Sequence, residues 1–171
     1  LDDEHVGEEV YISMANKAEK YCWFITPYLI ITDEMTHALS LAAKRGVDVR
    51  IITPGIPDKK MVYNVTRSFY NGVVRNGVRV FEWTPGFCHA KMSIADDCMA
   101  TCGTINLDYR SLYHHFENGC FMADCDAVAD IRADFESIMA QSREVTQQYK
   151  EGRSATLRLG QLVMRFFAEL L

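Results

Sequence analysis

The chain has 171 residues, 49% of them apolar and 11% aromatic, enough for one folded domain with a sizeable core and too apolar for a disordered chain. A net charge of −5 tilts against a nucleic-acid partner, because affinity for a phosphate backbone rests on accumulated Lys and Arg. No apolar run approaches the ~20 residues of a membrane-spanning helix and no signal peptide is visible, so the chain as it stands reads as soluble or peripheral.

In chain order, residues 6–20 predict a helix, with Val6, Val10, Ala15 and Ala18 near helical spacing among charges. Residues 21–26 form a short apolar run ended by Pro27, a buried-strand signal. Thr32 or Asp33 caps a helix that stops at Gly46. A β-branched strand follows at 47–53, then a helix over 59–76 and a third strand over 78–83. Strand–helix–strand–helix–strand order implies parallel pairing with helices packed on the sheet.

After Pro85-Gly86 the texture changes. Residues 87–94 and 98–102 predict two strands joined by a tight Ala95-Asp96-Asp97 turn, which makes the sheet mixed. A strand at 117–123 and one long helix over 127–149 complete an α/β domain at residues 1–153. Residues 154–171 predict an amphipathic helix whose polar positions 158, 161, 165 and 169 line one stripe; its apolar remainder calls for a protein or lipid surface. The six cysteines, at 22, 88, 98, 102, 120 and 125, lack the Cys-x-x-Cys spacing of zinc sites and read as reduced core thiols.

The stretch from His89 to Glu117 carries the chemistry. His89 and Lys91 stand two apart on a predicted strand, so both project from one face, with Asn106 in a loop just past Gly103. Imidazole, ammonium and amide together make a cradle for a phosphodiester, whose equatorial oxygens need cationic and N–H donors as charge grows. Histidine is a competent nucleophile near neutral pH, and a carboxylate accepting its Nδ1 proton, for which Glu117 is the candidate, would aim the Nε2 lone pair at phosphorus. Taken singly, each residue has a bland reading: a structural histidine, a solvated lysine, a turn aspartate, a surface glutamate.

The string His89-x-Lys91-x4-Asp96-x6-Gly103-Thr104-x-Asn106 resembles the signature of the phospholipase D superfamily, the HKD motif, at every fixed spacing. Asn106-Leu-Asp108-Tyr-Arg110-Ser111 and Glu117 also look like that family. Gly86-Phe87-Cys88-His89-Ala-Lys91, Ile25-Thr-Pro27-Tyr28 and the amphipathic tail resemble its bacterial cardiolipin synthase branch. The resemblance implies a phospholipase D-like fold, a mixed β-sheet flanked by helices on both faces. It implies that His89 attacks phosphate or protonates the leaving group, that Lys91 and Asn106 bind phosphate, and that Glu117 orients His89. Asp96 belongs to the motif set with a structural role, since its turn carries it away from the His/Lys face. His115 departs from the pattern, standing where relatives often have Asn.

One imidazole cannot both attack phosphorus and protonate the leaving oxygen, so a second acid is required. The family solves this with two HKD motifs facing across a pseudo-twofold interface, whereas His5, His37, His114 and His115 are not followed by Lys two residues on. Either two copies pair, or a first half is missing; the Leu1 start and the cardiolipin-synthase texture favour the latter. The resemblance then implies a phosphatidyltransferase making cardiolipin from two phosphatidylglycerol molecules through a phosphohistidine, with no cofactor and no metal, at the cytoplasmic side of a bacterial membrane. Its rivals are a homodimeric phospholipase D-type nuclease, which the acidic balance disfavours, and a silent scaffold half, which the full set of His89, Lys91, Asn106 and Glu117 disfavours. Trp83, Phe87 and Phe116 flank the predicted site as candidates for acyl-chain contact, with structural packing the favoured role for each.

Overall fold

A computed structural model describes residues 4–151. Helix α1 (Val6–Lys17) leads into strand β1 (Tyr21–Ile25), whose five residues are all buried. Their alternation feeds two cores: Cys22 and Phe24 face one side of the sheet, Tyr21, Trp23 and Ile25 the other. After the short β2 (Leu29–Ile30), Thr32 caps α2 (Asp33–Lys44), its hydroxyl oxygen accepting the Met35 amide at 3.0 Å. The same hydroxyl donates to Glu8 of α1, tying the two helices together at their ends. Gly46, at φ +96°, takes the left-handed turn after α2 that leads the chain into β3 (Asp48–Pro54).

Helix α3 (Lys60–Val74) and strand β4 (Arg79–Trp83) follow as the periodicity predicts. Strands β5 (Met92–Ala95) and β6 (Met99–Gly103) form the predicted hairpin, and Asp96 and Asp97, at φ 53° and 60°, make its two-residue turn. The remaining elements are β7 (Leu107–Asp108), a single π-helical turn at Arg110–His114, β8 (Gly119–Ala123), α4 (Asp126–Ala140), β9 (Ser142–Glu144) and α5 (Thr146–Lys150).

Seven strands run in the order β8-β6-β5-β1-β3-β4-β9. The β1–β3 and β3–β4 pairs are parallel and the rest antiparallel, so the sheet is mixed as expected. Helices α1, α2, α3 and α5 contribute to the core on one face, and α4 buries Val128, Ile131 and Phe135 against the other.

Three expectations need correction. The strand predicted from 87 begins only at Met92, so the approach through His89 and Lys91 is irregular chain. The single helix over 127–149 is broken by β9. There the Arg143 guanidinium reaches the fully buried Glu82 at 2.8 Å, Arg79 grips Glu144 with two hydrogen bonds of 3.1 and 2.8 Å, and the Val145 amide donates to Val80. These tertiary partners outweigh a helical pattern that continues through the segment. All six cysteines are free, but only Cys22 lies in the core; Cys102, Cys120 and Cys125 are exposed and Cys88 and Cys98 half-buried. The amphipathic helix expected at 154–171 and the domain boundary before it lie outside the described residues.

Candidate active site

Parallel strands β1 and β3 end on the edge of the sheet where β5 begins, since Ile25 pairs with both Ile52 and Met92. β6 also ends there, and β8 starts there, with Gly103 opposite Gly119. His89 and Lys91 precede β5 on this edge, Asn106 follows β6, and Glu117 precedes β8. Residues separated by up to 28 positions thus meet at one edge, the position where open α/β sheets place their ligands.

The loop from 104 to 118 is held at several points. Thr26, just past β1, accepts the Leu107 amide at 3.0 Å on its hydroxyl oxygen and donates to the Tyr28 carbonyl at 2.7 Å. Two-residue parallel pairing of β2 with β7 sets Leu29 against Leu107 and Ile30 against Asp108. Asp108 is buried and accepts the Ser111 amide at 2.7 Å, and the Tyr11 hydroxyl donates to the Ile105 carbonyl at 3.2 Å. At the loop's base the chain passes so close that a Cβ on Gly103 would lie 2.3 Å from the Asn118 carbonyl oxygen. That approach lets the Thr104 amide donate to Asn118 at 2.8 Å and the Asn118 amide to the Thr104 hydroxyl at 2.9 Å.

Glu117 sits in this grip. Its carboxylate accepts hydrogen bonds from the Thr104 hydroxyl and, at 2.8 Å, from the Ser111 hydroxyl. Two hydroxyls from its own loop thus position this carboxylate, which keeps acceptor capacity for a further donor. The His89 imidazole is exposed and, among the described residues, makes no hydrogen bond; its ring lies 5.7 Å from that of Phe87. The Lys91 ammonium folds back on the His89 carbonyl at 2.7 Å, so it braces the histidine's backbone.

Desolvation pulls the Lys91 pKa below its ordinary value, and the nearby negative charges of Glu117 and Asp108 oppose that fall. Burial raises the Asp108 carboxyl above the usual range against the pull of the Ser111 amide and the Asn106 amide. Asn106 keeps its own Oδ1 buried without a partner. The edge thus holds a partly desolvated ammonium in the field of two carboxylates, with an exposed imidazole two residues before it.

Asp96 lies at the opposite edge. Its carboxylate accepts the backbone amides of Glu19 at 2.7 Å, Lys20 at 2.9 Å and Tyr21 at 2.8 Å, fastening the start of β1 to the β5–β6 turn. Partial burial alone would raise its pKa; the three amides overcome that and hold the carboxyl below the usual range.

The structure therefore brings His89, Lys91, Asn106 and Glu117 to one edge and removes Asp96 from it. Thr104, Asp108 and Ser111 join the site; they stood inside the motif run without an assigned contact. Thr26 joins from another segment, signalled only by the polar end of an apolar strand. Of the flanking aromatics, Trp83 packs on the α4 core, Phe87 is 38% exposed with its ring beside His89, and Phe116, at 89% exposed, departs from the packing role expected of it.

A family model described as "Cardiolipin synthase, PLD-like domain" matches residues 11–139. An uncharacterised protein of Streptococcus mutans is 50% identical over the whole chain, which covers 37% of that relative's length. Cardiolipin synthase 2 of Bacillus cereus is 34% identical over 96% of the chain and 32% of its own length. The chain thus spans about a third of the curated relatives it matches. Among solved structures, the phospholipase D family member Nuc of Salmonella typhimurium has a TM-score of 0.69 at 18% identity, covering 80% of this chain and 88% of Nuc. The phosphatidylserine synthase of Haemophilus influenzae has a TM-score of 0.70 at 18% identity, covering 95% of this chain and 42% of its own.

Proposed function

We propose, for a chain that belongs to the cardiolipin synthase, PLD-like domain family, that it supplies one of two half-sites of a phosphatidyltransferase joining two phosphatidylglycerol molecules into cardiolipin. The observation that supports this reading best is the convergence of His89, Lys91, Asn106 and Glu117 on one sheet edge, with the imidazole left unbonded and exposed.

In the reaction a histidine Nε2 attacks the phosphorus of one phosphatidylglycerol and the bond to its headgroup glycerol breaks. The departing glycerol oxygen takes a proton from the acid of the facing half. A headgroup hydroxyl of a second phosphatidylglycerol then attacks the phosphohistidine, passing its proton back to that group and releasing the imidazole. His89 fills one of these two roles and the second half fills the other. Lys91, partly relieved of its water shell, offsets charge on the phosphoryl oxygens, and the Asn106 amide adds a donor. The charges of Glu117 and Asp108 favour the protonated lysine.

The second half docks on the surface beside the loop. There a groove of about 520 Å3 is lined by apolar Val6, Val10, Phe116 and Phe121 together with His115 and Glu117, with β8 exposed or half-buried throughout. An apolar face open to water beside an incomplete site is the expected mark of an interface. The second half is either another part of a longer polypeptide or a second copy of this chain.

The test is lipid mass spectrometry after incubating the chain together with its second half-site, as the longer polypeptide or as a dimer of this chain, with phosphatidylglycerol vesicles, beside a His89→Ala control. Cardiolipin and free glycerol, both lost in the variant, are expected. Phosphatidic acid alone would make the enzyme a hydrolase, and no lipid product would move the search to nucleic-acid phosphodiesters.

A further inference from the structure

The loop that carries Thr104, Asn106, Asp108, Ser111 and Glu117 has a cysteine at each end. In the antiparallel β6–β8 pair, Cys102 stands directly opposite Cys120, one step outside the close pass of Gly103 and Gly119. Both thiols are free and both residues exposed. Period-two alternation puts them on the face that carries Ala100 and Met122, beyond the cover of α4. Among the described strand pairings no other two cysteines face each other.

Strand geometry decides whether these two sulfurs can join. The Asp124 amide donates to the Cys98 carbonyl at 2.9 Å and the Thr104 amide to the Asn118 carbonyl at 2.8 Å. Hydrogen-bonded pairs recur at every second step of the register, so Cys102 and Cys120 form one of them. Such pairs hold their Cα atoms about 5.5 Å apart, inside the roughly 4.4–6.8 Å that a disulfide bridges. Their Cβ atoms, about 4.5–5.5 Å apart, must close by up to about 1.7 Å to reach the usual disulfide separation of about 3.8 Å. β8 is the terminal strand of the sheet and none of its residues is buried, so its pairing with β6 and the packing of the half-buried Met122 are what resist that movement. A bond closed against such resistance is also readily reduced.

We propose that Cys102 and Cys120 are a reversible disulfide site that staples the base of this loop, with a low-molecular-weight disulfide as oxidant. One cysteine thiolate attacks the small disulfide, forming a mixed disulfide and releasing one small thiol. The facing thiolate attacks the protein-side sulfur of that mixed bond and releases the second small thiol. Two protein thiols are oxidised and one small disulfide is reduced to two thiols, whose protons come from the cysteines. The bond stands on strand geometry alone; its consequence for catalysis rests on the loop's role proposed above.

The experiment incubates the full chain with an excess of oxidised glutathione, digests it under acid quench and identifies linked peptides by mass spectrometry. A Cys102–Cys120 linkage that dithiothreitol reverses is the expected product. Cys102→Ser should leave Cys120 with a glutathione adduct instead, and Cys125→Ser should leave the linkage intact. Oxidation should raise the melting temperature by roughly 5 °C, from closing the loop between the two cysteines, and slow amide exchange across 104–118 several-fold. Separate glutathione adducts on both cysteines of the unsubstituted chain, or linkage of either to Cys88, Cys98 or Cys125, would overturn the pairing. A linkage that leaves exchange in 104–118 unchanged would overturn the staple. None of these readouts uses a lipid, so they stand or fall apart from the transferase reading.

Discussion

The two ends of the β5–β6 hairpin share one motif and divide its work. At the turn, Asp96 spends its carboxylate on three backbone amides and fixes where β1 begins. At the open end, beyond a four-residue strand of about 13 Å and an irregular approach, His89 leaves its imidazole unbonded and exposed among the described residues. The first end is satisfied and rigid, and the second keeps polar groups in reserve. A motif written as one string is therefore two devices, a clasp and the proposed reaction centre, held apart by a strand of four residues.

Substitutions should separate the two. His89→Ala is expected to lower transfer at least about 10^4-fold in steady-state assays, as loss of a covalent or proton-transfer group does, with a melting temperature unchanged because the side chain holds nothing. Asp96→Ala should do the reverse. Losing three charge-assisted bonds should cost about 3 kcal/mol in urea unfolding, with kcat per folded molecule within about twofold. A folded, inactive Asp96→Ala protein would erase the distinction. Lys91→Gln should fall between them in rate, about 10^2-fold lower in kcat.

The smallest effects are in pH. Asp96 titrates below its ordinary value in the fold, so its contribution is present above the unfolded value of 3.8 and is lost as pH falls through the lower folded value. Asp108, raised by burial, has the opposite sign: its protonated form is favoured in the fold, and stability declines as pH rises from 3.8 through the higher folded value. Asp96→Asn should flatten the acid limb of a stability–pH curve, whereas Asp108→Asn should be neutral or stabilising by up to about 1 kcal/mol near pH 7. Chemical unfolding across pH 2–7 checks both, and an Asp108→Asn protein that unfolds more easily at pH 7 would reverse the sign assigned to that burial.

The elements that sequence patterning places well are those whose partners are close by. β1, α2, β3, α3 and β4 appear where apolar periodicity and the Thr32 cap put them, since burial alone selects them. β9 was illegible because its signal is not local: Arg143 and Glu144 are ordinary helix formers until Glu82 and Arg79 lie beside them. The approach to β5 is irregular for a related reason, since Lys91 turns to its own backbone neighbour at the sheet edge.

At the site the division is similar. Spacing, together with its resemblance to the HKD motif, singled out His89, Lys91, Asn106 and Glu117; taken one at a time, each had an ordinary structural reading. It also placed Asp96 in a turn facing away. What the sequence by itself determined was which chemical groups are present and that the sheet collects them at one edge. Only the tertiary structure decided what each group touches. Glu117 answers to Thr104 and Ser111 because Gly103 lets two strands approach within a carbonyl's reach, a contact fixed by three-dimensional packing that no pattern along the chain encodes.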